Sequence, residues 1–394
     1  MEDTIFIIRT LEEAGFEAYA VGGCVRDALL LLPAKDVDIT TSAKPWQVKA
    51  LFAKTFDTGI EHGTITVLLH GTGYEVTTFR TEDGYSDHRR PDHVSYTLSL
   101  EEDLSRRDFT INAMAFHPES ERLIDPFGGR EDLENRLIRC VGDPYERFDE
   151  DALRMLRAVR FAARLGFTIE DKTRDAIRAL SPTLRYVSKE RIFEELKKTL
   201  MSDHPSVLEQ AVDLGLCPYM AQGLQDGQKL KISALENTEK DLMVRLAVLM
   251  SDLGENEAGK VLKELKSDND TRNAVTLLIA HLKDPLPEDG VSMRHLMALI
   301  GKEKVPFLLQ VKKGVGLISH EAYERTLALW RQEREAPVTL KELSVTGKDL
   351  IRQGIGQGKA VGEALQYLLQ QVIEDPAKND PRCLIELLHQ HWYN

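Results

Sequence analysis

The residues able to do chemistry lie in the first half of this 394-residue chain. Asp36 and Asp38 stand two apart in Lys35-Asp36-Val37-Asp38-Ile39. On a strand, residues i and i+2 project to one face. Two carboxylates held together there repel unless a cation lies between them, and a hard divalent ion, Mg²⁺, is the usual solution. A solvated surface pair is the plainer reading of an isolated Asp-x-Asp. The flanking Val37 and Ile39 place this one at a sheet. In the alternating run Tyr74 to Phe79, Glu75 shares a face with Thr77 and Phe79. It is either an exposed strand residue or a third carboxylate beside the pair.

Upstream, Gly22-Gly23-Cys24-Val25-Arg26-Asp27 joins a strand signal to a helix signal. Glycines there allow close backbone approach to a ligand, and a helix N-terminus offers free N–H groups to phosphate oxygens. Arg26 can add a charge-assisted bond. A tight turn without ligand is the alternative, since neither the GxGxxG fingerprint nor a Walker motif is present. Gly354 to Lys359 has a superficial likeness to a phosphate loop but follows a helix signal, so a helix–helix connector is expected.

Two further groups combine Arg and Asp. In Arg106-Arg107-Asp108-Phe109, Arg107 and Asp108 suit a triphosphate and a ribose, or form a surface charge cluster at a helix start. In a helix running from Asp149 to Leu165, Asp151, Arg154 and Arg157 step by three along one face, with Arg160 just beyond. A surface ion-pair ladder is one reading. The other is base recognition: an Arg fork donates to cytosine O2 and N3, or to adenine N1, while Asp accepts from the exocyclic amine. Guanine and uracil lack that amine in the required position.

The elements that must position these groups change character along the chain. Up to about residue 139, helix and strand signals alternate. Helices are expected over Thr4–Ala14, Cys24–Leu31 and Pro45–Ala53, and strands over Glu17–Val21, Lys35–Thr40, Gly63–Leu69, Tyr74–Phe79 and Val94–Leu98. His70 to Gly73 reads as a hairpin turn, and Arg80 to His93 as a polar loop. From Asp149 onward the periodicity is almost wholly helical, including Asp171–Leu180, Lys189–Met201 and Ser206–Leu214. The expected fold class is α+β, a mixed-sheet N-terminal domain followed by an all-α remainder. Proline and glycine clusters suggest boundaries near 202–205 and 283–290.

Composition narrows the classes. The 42% hydrophobic content is that of a globular protein, which excludes collagen-like and disordered chains. No apolar run approaches the ~20 residues of a membrane span, and the acidic start, Met1-Glu2-Asp3, is not that of a signal peptide. Four scattered cysteines without a CxxC pair fit a reduced, cytoplasmic chain with no zinc or disulfide framework. The net charge of −13 argues against nucleic acid only until it is divided. Residues 1–139 carry 15 basic and 25 acidic side chains, residues 140–200 carry 13 and 11, and residues 201–394 carry 23 and 28. The excess acid lies mainly in residues 1–139, where some carboxylates are candidates for magnesium, and the following arginine-rich segment is net positive.

In order, these motifs resemble the class II tRNA nucleotidyltransferases of bacterial type, the CCA-adding enzymes of the DNA polymerase beta superfamily. The resemblance is carried by Val21-Gly22-Gly23-x-Val25-Arg26-Asp27, Asp36-x-Asp38, Arg106 to Ala113, Asp125-Pro126-Phe127-Gly128-Gly129, Glu150-Asp151-Ala152-Leu153-Arg154-x-x-Arg157-x-x-Arg160, and Ser188 to Leu196. It implies a catalytic head (1–139), a base-recognising helical neck (140–201), a body (202–290) and a tRNA-binding tail (291–394). It implies Asp36 and Asp38 as Mg²⁺ ligands, with Glu75 the third catalytic carboxylate. Gly22, Gly23 and Arg26 would meet the nucleotide phosphates, and Arg107 and Asp108 the triphosphate and ribose. Asp151 and Arg154 would pair with the incoming C or A, and Arg157 and Arg160 complete the nucleotide site. Asp125 to Gly129 would be a flexible joint, and Ser188 to Leu196 a helix-stabilising motif. The implied reaction is template-independent addition and repair of the tRNA 3′-terminal CCA from CTP and ATP.

A poly(A) polymerase, a CC-only enzyme and a non-catalytic RNA-binding relative are the alternatives. No strongly basic C-terminal extension is seen, which disfavours the first. Arg80 to Pro91 resembles the flexible loop that CC-only enzymes lack, and intact carboxylates disfavour the third. His281 is followed by Lys283-Asp284 rather than by Asp, so no phosphohydrolase pair is expected. Basic faces with Lys302, Lys304, Lys312 and Lys313 as candidates would hold RNA. The choice between monomer and homodimer stays open.

Overall fold

The structure is a computed structural model that describes residues 2–33, 36–60, 63–83 and 93–392. It divides into two compact units, Met1–Gly227 with Glu264–Lys266, and Gln228–Lys263 with Ser267–Asn394. Among the described residues, no helix is long and apolar enough to cross a membrane.

The first unit opens with α1 (Glu2–Glu13), β1 (Ala18–Val21), α2 (Gly23–Leu29), β2 (Asp38–Thr41) and α3 (Pro45–Leu51). Strands β3 (Thr55–Gly59), β4 (Thr64–Leu69), β5 (Thr72–Thr78), β6 (Arg80–Asp83) and β7 (His93–Tyr96) follow. Then come α4 (Leu100–Ser105), β8 (Ala115–His117), β9 (Arg122–Ile124), α5 (Gly129–Glu134) and β10 (Leu137–Ile138). A seven-stranded sheet runs in the order β3-β4-β5-β2-β1-β8-β9. It is mixed, with β2 and β5 parallel and its other pairings antiparallel. Helix α1 buries Thr4, Ile7, Ile8 and Leu11, the spacing of one helical face. Ile7, Ile8 and Leu11 pack with Ile39, Ile65, Val67 and Val76 of the sheet. Each fully buried Ile contributes about 2 kcal/mol of apolar transfer. A second cluster joins Val21, Phe79, Leu104, Ala113 and Val141.

The unit continues in helices α6 (Pro144–Glu150), α7 (Leu153–Leu165), α8 (Asp171–Leu180), α9 (Lys189–Leu200), α10 (Glu209–Asp213) and α11 (Cys217–Met220). The short strand β11 (Thr168–Ile169) lies among them, paired in parallel with β10. The second unit is helical among its described residues: α12 (Leu242–Leu249), α13 (Glu255–Glu264), α14 (Asn269–Ala280), α15 (Gly290–Ile300), α16 (Val305–Gly314), α17 (His320–Glu333), α18 (Gly347–Arg352), α19 (Lys359–Glu374) and α20 (Pro381–Trp392). The expected α+β class is therefore the observed one. Gly354 to Gly358 connects α18 to α19, as a helix–helix connector should.

Four expectations need correction. Strand β2 begins at Asp38, so Asp36 precedes the strand instead of lying on it. Arg80 to Asp83 is a strand paired with His93–Tyr96, where a loop was expected; residues 84–92, the rest of that loop, lie outside the described residues. The helix expected from Asp149 to Leu165 is broken at Asp151, whose φ of −138° and ψ of 101° are extended. Lys312 is not an RNA-facing side chain: it is buried, and its Nζ donates to the carbonyls of Leu282 (2.7 Å) and Asp284 (2.6 Å).

Candidate active site

Strand β1 delivers the chain to Gly22, whose φ of 79° is in the left-handed region that favours glycine. A Cβ at Gly22 would lie 2.9 Å from Nη1 of Arg107. The backbone therefore favours glycine, and a side chain there would push the Arg107 tip aside. Helix α2 starts at Gly23 and carries Arg26 at its middle, the fourth of seven residues. Arg26 is buried and donates to Asp27 (2.7 Å) and to Oδ1 of Asn112.

Beside β1 lies β2, and parallel to β2 lies β5, with Ile39 opposite Val76. Continuing that register by one residue puts Glu75 beside Asp38, and in-register neighbours share a face. Burial first, then the charges of Glu75 and Asp36, raise the Asp38 carboxyl above its ordinary range, while Arg107 works against them. Asp38 therefore sits in the field of two further carboxylates, only partly offset by Arg107. Among the described residues, none of the three carboxylate groups has a side-chain hydrogen bond or ion pair, and no three His, Cys, Asp or Glu side chains form a preformed metal cage. That donor set fits Mg²⁺, which is typically held by one or two carboxylates together with substrate phosphates instead of by an all-protein cage.

A cavity of about 450 Å³ opens beside Asp38. Eight arginines line it (26, 106, 107, 154, 157, 160, 164 and 191) against three aspartates (38, 108 and 151), together with Gly22, Gly23, Asn112, Leu153 and Phe161. The lining is thus net +5 within a chain of net −13. Of the residues singled out in the sequence, Gly22, Gly23, Arg26, Asp38, Arg107, Asp108, Asp151, Arg154, Arg157 and Arg160 all line it; Asp36 and Glu75 do not.

The charged groups are fixed in pairs. Asp108 is buried against Arg157 (2.6 Å) and accepts from Asn112 (3.0 Å). Burial opposes its charge, but Arg157 and the Asn112 bond prevail and hold its carboxyl at about 2. Arg160 pairs with the buried Glu195 of α9 at 2.6 Å. Arg107 leans on Asp103 (3.4 Å), and its Nε has no hydrogen-bond partner among the described residues. Arg26, Arg157 and Arg160 surround the Phe161 ring, at 5.0, 5.4 and 4.1 Å from guanidinium carbon to ring centroid.

Asp151 and Arg154 are not the stacked pair that a continuous helix would give. Asp151 occupies the break between α6 and α7, where its Oδ1 accepts from the Leu153 N–H (3.1 Å). Its Oδ2 accepts from Arg191 of α9 (2.8 Å). Arg154 instead bonds to Glu150 (2.6 Å) and to the Arg106 carbonyl (3.0 Å). Helix α9 thus supplies both Arg191, to Asp151, and Glu195, to Arg160. This gives the Ser188 to Leu196 motif a physical role. The Asp125 carboxylate accepts from the N–H groups of Gly129 (2.7 Å) and Arg130 (2.8 Å), capping α5.

Sequence reasoning omitted Arg164 and Arg191 from the site. Arg164 reaches the pocket one turn beyond Arg160 and pairs with Asp27 (2.7 Å); the i+4 step from Arg160 was the available signal. Arg191 had no local signal.

A mixed sheet that sets a diglycine turn and acidic groups beside a cationic pocket is the arrangement of a nucleotidyltransferase. Residues 18–139 match the Poly A polymerase head domain, residues 166–226 the probable RNA and SrmB-binding site of polymerase A, and residues 236–388 the putative tRNA nucleotidyltransferase domain 2. The chain is 42% identical to the CCA-adding enzyme of Limosilactobacillus reuteri, over 98% of this chain and 95% of that protein. It is 41% identical to that of Pediococcus pentosaceus, over 99% and 98%. A solved structure of the Bacillus stearothermophilus CCA-adding enzyme in complex with CTP superposes with a TM-score of 0.87 at 35% identity, covering 99% of this chain and 97% of that one. The chain belongs to the family of CCA-adding enzymes.

Proposed function

We propose that this enzyme adds and repairs the 3′-terminal CCA of tRNA in the cytoplasm, using CTP and ATP with Mg²⁺ and releasing pyrophosphate. The observation that carries this reading is the eight-arginine pocket opening onto Asp38 and the Gly22-Gly23 turn. A triphosphate brings about four negative charges, which a lining of net +5 can offset. Arg107, with its uncommitted Nε–H, and Arg26 of α2 are the groups we assign to the phosphates. Asp108, ionised at any working pH, is assigned to hold Arg157 in place and to face the ribose.

Asp36 and Asp38 would hold the metal, with Glu75 beside them. A metal bound there would supply positive charge that lowers the pKa of a 3′-hydroxyl and offsets that of pyrophosphate. The protein's own share is positioning and electrostatics. Asp151 and Arg154, both lining the pocket, are assigned to read the base edge. An ionised carboxylate has about four acceptor sites, and Asp151 uses three, for Leu153 and twice for Arg191. The remaining site can accept from the exocyclic amine of C or A. Residues 1–139 act as head, 140–201 as neck, 202–290 as body and 291–394 as tail in this reading.

The test offers purified protein a tRNA ending at its discriminator base, with Mg²⁺ and labelled nucleotides singly and together. Addition of C, C, A and then a stop is expected. Long A tails would make it a poly(A) polymerase instead, and a stop after two C residues a CC-adding enzyme.

A further inference from the structure

A continuous line of polar contacts runs along the wall of the arginine pocket. Arg164 donates to Asp27 Oδ2 (2.7 Å), and Asp27 Oδ1 accepts from Arg26 Nε (2.9 Å) and Nη2 (2.7 Å). Arg26 Nη1 donates to Asn112 Oδ1, and Asn112 Nδ2 donates to Asp108 Oδ1 (3.0 Å). Asp108 Oδ2 in turn accepts from Arg157 Nε (2.7 Å). Asn112 is the neutral link in this line of charged groups.

Local structure places Asn112 there without using its side chain. It ends a short helical turn, Thr110–Asn112, that precedes β8. Backbone bonds close the turn: Asn112 N–H donates to the Phe109 carbonyl and Ala113 N–H to that of Thr110, both at 2.9 Å. Strand β8 pairs with β1, and the Gly22 N–H donates to the Met114 carbonyl (3.1 Å), which sets the turn beside the diglycine corner. The buried carboxamide is therefore left to bridge Arg26 and Asp108.

The direction of the amide follows from its neighbours. A guanidinium only donates and an ionised carboxylate only accepts, so the carbonyl faces Arg26 and the amino group faces Asp108. A carboxylate at this position could serve Arg26 but not Asp108. A direct ion pair between Arg26 and Asp108 would turn the arginine's charge inward. A neutral group with both a donor and an acceptor joins the two and leaves the pocket's positive charge intact.

We propose that Asn112 is a positioning residue for the incoming nucleotide: it holds Arg26 and Asp108 in register, so that the ribose is checked while the phosphates are gripped. The inference rests on the functional reading above, in which Arg26 meets the phosphates and Asp108 faces the ribose.

The experiment measures kcat/KM for ATP and for 2′-deoxy-ATP on a tRNA ending in CC, with Mg²⁺, for the full-length protein and for Asn112→Asp and Asn112→Leu. Asn112→Asp keeps the size and the acceptor for Arg26 but loses the donor to Asp108. Asn112→Leu loses both. The wild-type protein should prefer ATP, and each variant should lower the ratio of ATP to 2′-deoxy-ATP about tenfold. That ratio does not depend on how much of the protein is folded. A purely structural role would leave it at the wild-type value even where melting curves shift. A wild-type ratio in either active variant would overturn the proposal. A wild-type protein that adds no nucleotide to this tRNA, or takes both nucleotides equally well, would instead overturn the functional reading, and the inference with it.

Discussion

Asp151 is held by Arg191, forty residues further along the chain, and not by Arg154, three residues away. The carboxylate assigned to base recognition is therefore oriented from a different helix than the one it adjoins. Replacing Arg191 with Ala should leave the fold intact, because Arg191 is partly exposed, and should blunt discrimination. We expect kcat/KM for CTP and ATP to fall about tenfold or more, while misincorporation of UTP and GTP rises. The doubly substituted Asp151→Ala, Arg154→Ala enzyme should lose the choice altogether. Single-nucleotide incorporation assays measure both.

Asp108 and Arg157 link the pocket to stability. The Asp108 carboxyl is held at about 2, below its ordinary 3.8, a shift worth about 2 kcal/mol. Because the folded-state value is the lower one, that stabilisation is present above about pH 3.8 and is lost as pH falls towards 2. Asp108→Asn should therefore destabilise the protein at neutral pH by about 2–3 kcal/mol, since it leaves the Arg157 charge uncompensated. The difference from wild type should shrink in acid, as read from denaturant melts at both pH values.

Gly22 is favoured by its positive φ, and the Arg107 guanidinium lies 2.9 Å from its would-be Cβ. Gly22→Ala should cost about 1–2 kcal/mol in backbone strain and displace Arg107. Nucleotide affinity should fall more than stability does. Equilibrium binding of CTP alongside a thermal melt separates the two effects.

Asp38 should show the reverse balance. Its charge is opposed by those of Glu75 and Asp36, so Asp38→Asn is expected to raise the melting temperature in the absence of metal while reducing turnover by about a thousandfold or more. Millimolar Mg²⁺ should raise the melting temperature of the wild-type protein and leave that of the variant unchanged.

The hydrophobic pattern made the principal elements legible. The α1 face, the β4–β5 hairpin with its positive-φ His70 and Gly71, and α8, Asp171–Leu180, all lie where periodicity and turn chemistry place them. Strand β3 was missed because Thr55 to Gly59 is a mostly exposed edge strand without alternation, and β8 and β9 are three residues each, too short for a period. The break at Asp151 was hidden because helical periodicity runs through both α6 and α7. Long-range pairing to Arg191 and a local cap on Leu153 hold the break, and no window of sequence contains both. The residue types of the site were readable, whereas their pairings, which cross between helices, were not.

Phe161 has one more consequence. Burial lowers the Arg26 and Arg160 guanidinium pKa values; Asp27 and Glu195 work against it, while Arg164 and Arg157 add to it. Three cations crowd a single ring that can neither hydrogen-bond nor neutralise them. Each cation has its own carboxylate behind it, Asp27 for Arg26, Asp108 for Arg157 and Glu195 for Arg160, so the ring seats three braced guanidinium groups side by side. A bound polyanion should tie them to one another from the front, and so stiffen the helices that carry these arginines.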